Sequence, residues 1–186
     1  MARLSVFNFL SLNGCYKDSD NGINWHVHND AEEAAFAAEN AQRSGILVFG
    51  RVTFQMMESF WNTPAGREMN PGVAAGMTKS EKIVFSNSMK SSTWENTRFI
   101  GGDVAAEMKK LKETSDKDMS ILGSGSLVAF FTEHGLMDGY QLLIDPLVLG
   151  QGVPLFNNIT HNINLKLTSH RVFTRGSVLL NYDVVK

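Results

Sequence analysis

The chain has 186 residues, 43% of them hydrophobic and 19% charged, with a formal net charge of −2, a length most economically folded as one compact domain, since domains run to roughly 100–200 residues. So small a net charge gives no electrostatic reason to bind nucleic acid or an anionic membrane, and any anion must be gripped locally. The single cysteine, Cys15, excludes an internal disulfide and every Cys-based zinc pattern, and fits a reducing cytosol.

Residues 3–10 are rich in Val, Phe and Leu and then meet Ser11-Leu12-Asn13-Gly14, which reads as a buried strand ending in a turn. Asn8 and Ser11 interrupt its apolar run, and no stretch nears the roughly 20 apolar residues of a membrane span, so the protein is expected in the cytoplasm. Residues 13–29 form a long polar segment, a kind of loop that is often functional. Asp30 then opens an Ala/Glu-rich helix with Asn29 or Asp30 as N-cap and Gly45 at its end.

A strand at 46–50 runs directly into a helix beginning at Arg51. A Pro/Gly-bearing connection (62–72) leads to a helix ending near Lys79, followed by strands at 82–87 and 97–100. Val104, Met108 and Leu111 recur at helical spacing in 102–114. The strand ending at Leu122 feeds a helix through Gly123-Ser124-Gly125-Ser126. Strands dominate from about Gly139 onward. Alternating strands and helices predict an α/β fold with a mostly parallel sheet covered on both faces and antiparallel strands added near the C-terminus.

In such sheets ligands sit outside the carboxyl ends of the strands, where helix N-termini present free N–H groups. Gly123 and Gly125 let backbone approach an anion, while Ser124 and Ser126 add hydroxyls. Arg51 offers a fork for phosphate and Thr53 a hydroxyl in a first helical turn. Two anion cradles on neighbouring loops suit a ligand with two phosphates. Val128 breaks the strict G-x-G-x-x-G pattern, no P-loop lysine follows, and Gly125 stands where a G-x-S-x-G nucleophile belongs. His26 and His28 flank the long loop as candidate proton donors, with no third ligand spaced for a metal. Trp25, Phe60 and Trp61 are candidates to line a flat pocket, and the methionines read as gap-filling core.

Taken together, Ser11–Gly14, "FGRVTF" (49–54), "KIVFSNS" (82–88) and residues 121–156, with Leu136, Asp138, Pro146, Gly150, Gly152, Pro154, Leu155 and Phe156, resemble the dihydrofolate-reductase-like superfamily, specifically proteins similar to the riboflavin-biosynthesis reductase (RibD C-terminal) domain. The resemblance covers nearly the whole chain. It implies a single-domain three-layer sandwich and an NADPH-dependent reductase acting on a small heterocyclic or carbonyl/imine substrate, with homodimers common among relatives.

By position, the resemblance assigns Gly50, Arg51 and Thr53 to the cofactor phosphates, Ser86 and Asn87 to the adenosine side, Gly123, Ser124, Gly125 and Ser126 to the pyrophosphate, and the backbone near Phe9 and Leu12 to the nicotinamide. Asn13, Trp25 and Trp61 are substrate-pocket candidates. Asn87 replaces a frequent Arg, which leaves NADH open beside NADPH. Asn13 replaces a common Asp, Leu122 an acid, and Gly139 the acid of a frequent Asp-Glu pair. A dihydrofolate-type reaction needs an early-helix carboxyl, either Asp30 or Glu32. Two further readings are dihydrofolate reductase itself and a nucleotide-binding protein without turnover, the latter drawn from the missing acids at 13 and 139.

Overall fold

The computed structural model describes residues 1–26, 30–43 and 45–186. In chain order its elements are β1 (Leu4–Ser11), β2 (Cys15–Asp18), α1 (Ala31–Arg43), β3 (Ile46–Gly50), α2 (Arg51–Trp61), α3 (Pro64–Met69), α4 (Pro71–Lys79) and β4 (Glu81–Phe85). There follow β5 (Thr97–Ile100), α5 (Val104–Thr114), β6 (Met119–Leu122), α6 (Gly125–Glu133), β7 (Gly139–Asp145), β8 (Gly152–Pro154), β9 (Leu165–Val172) and β10 (Val178–Val184).

Eight strands form one sheet in the order β5-β4-β3-β6-β1-β7-β10-β9. Pairing is parallel from β5 through β7, and β10 and β9 are added antiparallel, as the strand-rich tail predicts. A parallel sheet is stable only when both faces are covered. On one face Leu4, Val6, Ile83 and Ile121 pack against Met108 and Leu111 of α5 and Val128 and Phe131 of α6. On the other, Leu47, Phe49 and Val84 meet Phe54 of α2, Val73 and Met77 of α4 and the alanines of α1. Those alanines have a specific use: a Cβ on Gly72 would lie 2.7 Å from Ala38 Cβ, and one on Gly76 2.9 Å from the Ala41 backbone. Helices α1 and α4 therefore touch along a seam of small residues.

The amino end of the sheet is closed by the buried Lys82 and by a buried Asp138–Lys112 pair. Lys82, fully buried, donates to the carbonyls of Met77 (2.7 Å), Ser80 (2.8 Å) and Thr78 (3.2 Å), capping the C-terminus of α4. Burial drives its ammonium down to about 8, against the opposing pull of Glu95. Burial also pushes the Asp138 carboxyl up, but hydrogen bonds from Lys112, Lys186 and the Leu4 N–H outweigh it and hold the group below the usual range. That cluster fixes the start of β7 to β1.

Two local features depart from the sequence expectations, and one choice left open there is decided. The 62–72 connection contains helix α3, started by Thr63 ahead of Pro64, while Asn70 caps α4 ahead of Pro71. The long loop contributes β2, which pairs antiparallel with β8 some 135 residues away. Asp30 accepts from the Glu33 N–H at 2.9 Å and so caps α1; Asn29, the alternative cap, and His28 lie outside the described residues. At the far edge every residue of β9 is exposed.

Candidate functional site

Strands β3, β4, β5, β6, β1 and β7 bring their carboxyl ends to one edge, so the loops singled out in the sequence stand side by side. β3 passes into α2 at Gly50–Arg51, and β6 into α6 through Gly123 (φ +62°) and Ser124 (φ +43°). A non-glycine residue in the left-handed region is uncommon, and here contacts hold it: the Ser124 Oγ accepts from the Gly50 N–H at 2.9 Å, and the Ser124 N–H donates to Thr53 Oγ1 at 3.1 Å. At Gly123 a Cβ would stand 3.0 Å from the Thr53 methyl. The two turns are thus tied to each other.

Neither α2 nor α6 has a side-chain N-cap, whereas α5, starting at the same edge, is capped by Asp103 through the Ala105 and Ala106 N–H groups. Uncapped first-turn N–H groups at two adjacent helix starts make a positive cradle. Arg51 is exposed beside it and its guanidinium donates to Gln55 at 2.9 Å. Ser126 is exposed in the first turn of α6. The bare α-carbon of Gly125 serves packing: a Cβ there would come 2.3 Å from the Tyr16 ring of β2.

Ser86 and Asn87 sit beyond β4. The Ser86 hydroxyl accepts from the Met89 N–H at 2.9 Å, and Asn87 Oδ1 accepts from the Gly102 N–H at 2.9 Å, so both shape the β4 and β5 loops. At the end of β1, Leu12 is exposed while its N–H donates to the Leu147 carbonyl at 2.8 Å. Asn13 pairs its amide with both backbone groups of Leu149, donating at 3.0 Å and accepting at 3.1 Å. That explains the amide, because a carboxylate has no N–H to donate. Gly139 opens β7 at the opposite end of the sheet, so the acid absent there takes nothing from this edge.

Under the long loop lies a buried cluster. His26, 4% exposed, stacks on Phe9 with ring centres 3.8 Å apart; its Nδ1 lies 2.8 Å from Asp145 Oδ2 and its Nε2 3.8 Å from Glu33 Oε2. The Ser177 hydroxyl donates to the other Glu33 oxygen. Asp30 is used as the helix cap. Glu32 is bound by Arg171 and by the N–H and hydroxyl of Thr174, and the Arg171 hydrogen bond foremost holds its carboxyl below the ordinary value. Of the three acids, Glu33 turns inward. Helical phase carried that signal, since Glu33 shares a face with Phe36 and Ala37, which pack inward. Asp145 gave no such signal. Trp25 stands edge-on to His26, and Trp61 packs beside Phe60 at the far end of α2, about 15 Å along the helix from Arg51.

Among the described residues, two buried donors have no hydrogen-bond partner: Asn8 Nδ2, on the carboxyl half of β1, and Trp25 Nε1. An orphaned buried donor costs about 1–3 kcal/mol, and a ligand acceptor relieves it. The joined helix starts, the exposed Arg51 and the Asn8 amide fit a dinucleotide with two phosphates and an amide-bearing ring.

The RibD C-terminal domain family model matches residues 2–179. The chain is similar to the uncharacterized protein YyaP of Bacillus subtilis (strain 168), 31% identical over 140 residues, or 73% of this chain and 72% of that protein. Its fold is similar to a pyrimidine reductase-like protein from Corynebacterium diphtheriae (TM-score 0.68, 15% identity, 100% of this chain and 92% of that one). It is also similar to a diaminohydroxyphosphoribosylaminopyrimidine deaminase/5-amino-6-(5-phosphoribosylamino)uracil reductase from Thermotoga maritima (TM-score 0.69, 13% identity, 99% of this chain and 57% of that one). The chain belongs to the RibD C-terminal domain family, and its fold is the dihydrofolate-reductase-like sandwich.

Proposed function

We propose that this member of the RibD C-terminal domain family is an NAD(P)H-dependent reductase that delivers hydride to a C=N or C=O bond of a small heterocyclic substrate similar to 5-amino-6-(5-phosphoribosylamino)uracil. The observation that carries the reading is the tie between Gly50 and Ser124, which presents two uncapped helix N-termini as one cradle.

NADPH, with NADH as the alternative, supplies the hydride when bound. The first turns of α2 and α6, from Gly50 to Thr53 and from Gly123 to Ser126, would hold the pyrophosphate, and Arg51 would add a charged fork. Ser86 and Asn87 border the adenosine side, and Asn8, Phe9 and Leu12 the nicotinamide side. Asn13 keeps the β1 turn closed through Leu149, and Trp25 covers the substrate end. No helix among the described residues is long and apolar enough to cross a membrane; a cytoplasmic place belongs to the same reading. So does a homodimer, supported by the exposed Leu165, Leu167 and Val172 of β9.

Titration with NADPH and NADH, followed by cofactor fluorescence, tests the reading. Binding with turnover of the pyrimidine supports it; no binding of either nucleotide at millimolar concentration removes it. Turnover of dihydrofolate in preference to the pyrimidine would move the assignment to dihydrofolate reductase, and binding without turnover to a nucleotide-binding protein.

A further inference from the structure

We propose that His26 is the proton relay of this reduction, held by Asp145 and discharging through Glu33. The inference rests on the reductase reading and concerns a different part of the molecule from the phosphate cradle.

Reduction of C=N or C=O needs two deliveries. The dihydronicotinamide, when bound, would supply hydride for the new C–H bond; the π pair would then pass to nitrogen or oxygen, and that atom would need a proton. The Glu33 carboxyl gives its proton to the heteroatom, the His26 Nε2–H restores the proton to Glu33, and solvent restores it to His26.

Three features favour a relay over a packing role. Three contacts hold the imidazole: Phe9 stacks on its face at 3.8 Å, Trp25 meets its edge, and Asp145 engages Nδ1 at 2.8 Å, which directs Nε2 toward Glu33. Among the described residues, the charged groups facing it are Asp145 from β7 and Glu33 from α1; Glu32 and Arg171 are spent on each other, and Asp30 on the helix cap. The cluster stands at the carboxyl ends of β1 and β7, against the same Phe9 that borders the nicotinamide side. The 3.8 Å between Nε2 and Glu33 must shorten by about 1 Å for transfer, a tightening typical of catalytic hydrogen bonds on substrate binding.

The test compares wild type with His26→Gln, His26→Ala and Asp145→Asn. In the nucleotide-free protein, a downfield imidazole N–H resonance is expected in wild type and absent in Asp145→Asn; its absence from wild type overturns the Asp145 contact and the proposal. With NADPH and 5-amino-6-(5-phosphoribosylamino)uracil, His26→Gln is expected to lower kcat at least tenfold while the NADPH Kd stays within about twofold. Added imidazole is expected to restore part of the activity of His26→Ala. A kcat loss that tracks weakened NADPH binding, without imidazole rescue, reduces His26 to packing. Wild type that binds NADPH but reduces no such substrate overturns the relay and leaves the cradle standing, whereas failure to bind NADPH removes the reductase reading itself.

Discussion

Asn13 and Leu149 are joined by two hydrogen bonds, the amide donating at 3.0 Å and accepting at 3.1 Å, across 136 residues of sequence. The pair stitches the turn after β1 to the segment between β7 and β8. Asn13→Asp replaces a donor by a carboxylate facing a carbonyl. It is expected to lower stability by about 1 kcal/mol, read as a lower urea midpoint, with faster amide exchange at Leu149.

Arg51 stands at the mouth of the cradle and is engaged within its own helix by Gln55. Arg51→Ala is therefore expected to leave the thermal midpoint nearly unchanged, an i,i+4 surface pair being worth about 0.3 kcal/mol. A lost charge-assisted grip on phosphate costs about 2 kcal/mol, so the NADPH Kd is expected to rise roughly thirtyfold. An unchanged Kd in a fluorescence titration would return Arg51 to a solvated surface charge.

Gly76 faces Ala41 with room for no side chain. Helix propensity alone favours Gly76→Ala by about 1 kcal/mol, yet the added methyl must push the α1 backbone away, an overpacking that costs about 1–3 kcal/mol. The close contact wins because the atoms it meets are backbone. Net destabilisation is expected, and chemical denaturation measures it; a stabilised variant would mean that the α1–α4 seam yields easily.

Lys82 titrates near 8 in the folded protein because burial disfavours its charge, whereas an unfolded lysine titrates near ~10.4. Between those values the unfolded chain binds the extra proton, so stability is lower below pH 8 and rises as pH climbs toward ~10.4. Lys82→Met removes that rise, and in exchange takes the donor from the Met77 and Ser80 carbonyls at the end of α4, while Thr78 keeps Asn96, costing about 2 kcal/mol at pH 7. Urea midpoints from pH 7 to 10, compared between wild type and variant, isolate the contribution; parallel curves would contradict it.

The sheet was legible because apolar runs and glycine turns are local signals, and parallel strands need only alternate with helices to declare themselves. Helix α3 was written in the text as well, since Thr63-Pro64 and Asn70-Pro71 are each a cap followed by proline at the first helical position, but the density of Pro and Gly disguised two starts as one connection. β2 had no such signal, because its partner β8 is remote and a strand of 4 residues carries little pattern. At the site, the positions of Gly50, Arg51 and Ser124 followed from strand-to-helix spacing. Their side-chain partners did not: that Ser124 serves Gly50, that Asn87 serves Gly102, and that Asp145 meets His26 are facts of tertiary contact.

The uncapped starts of α2 and α6 also bear on how long the protein survives. On the proposed reading a bound dinucleotide would finish both helices, and at 100 times its Kd it would add about 2.7 kcal/mol to folding by mass action. The nucleotide-free chain would keep unsatisfied turns beside its edge and open there more readily to proteases. Abundance of the protein would then follow the supply of reduced nucleotide, so that a cell short of the coenzyme would clear the enzyme that spends it.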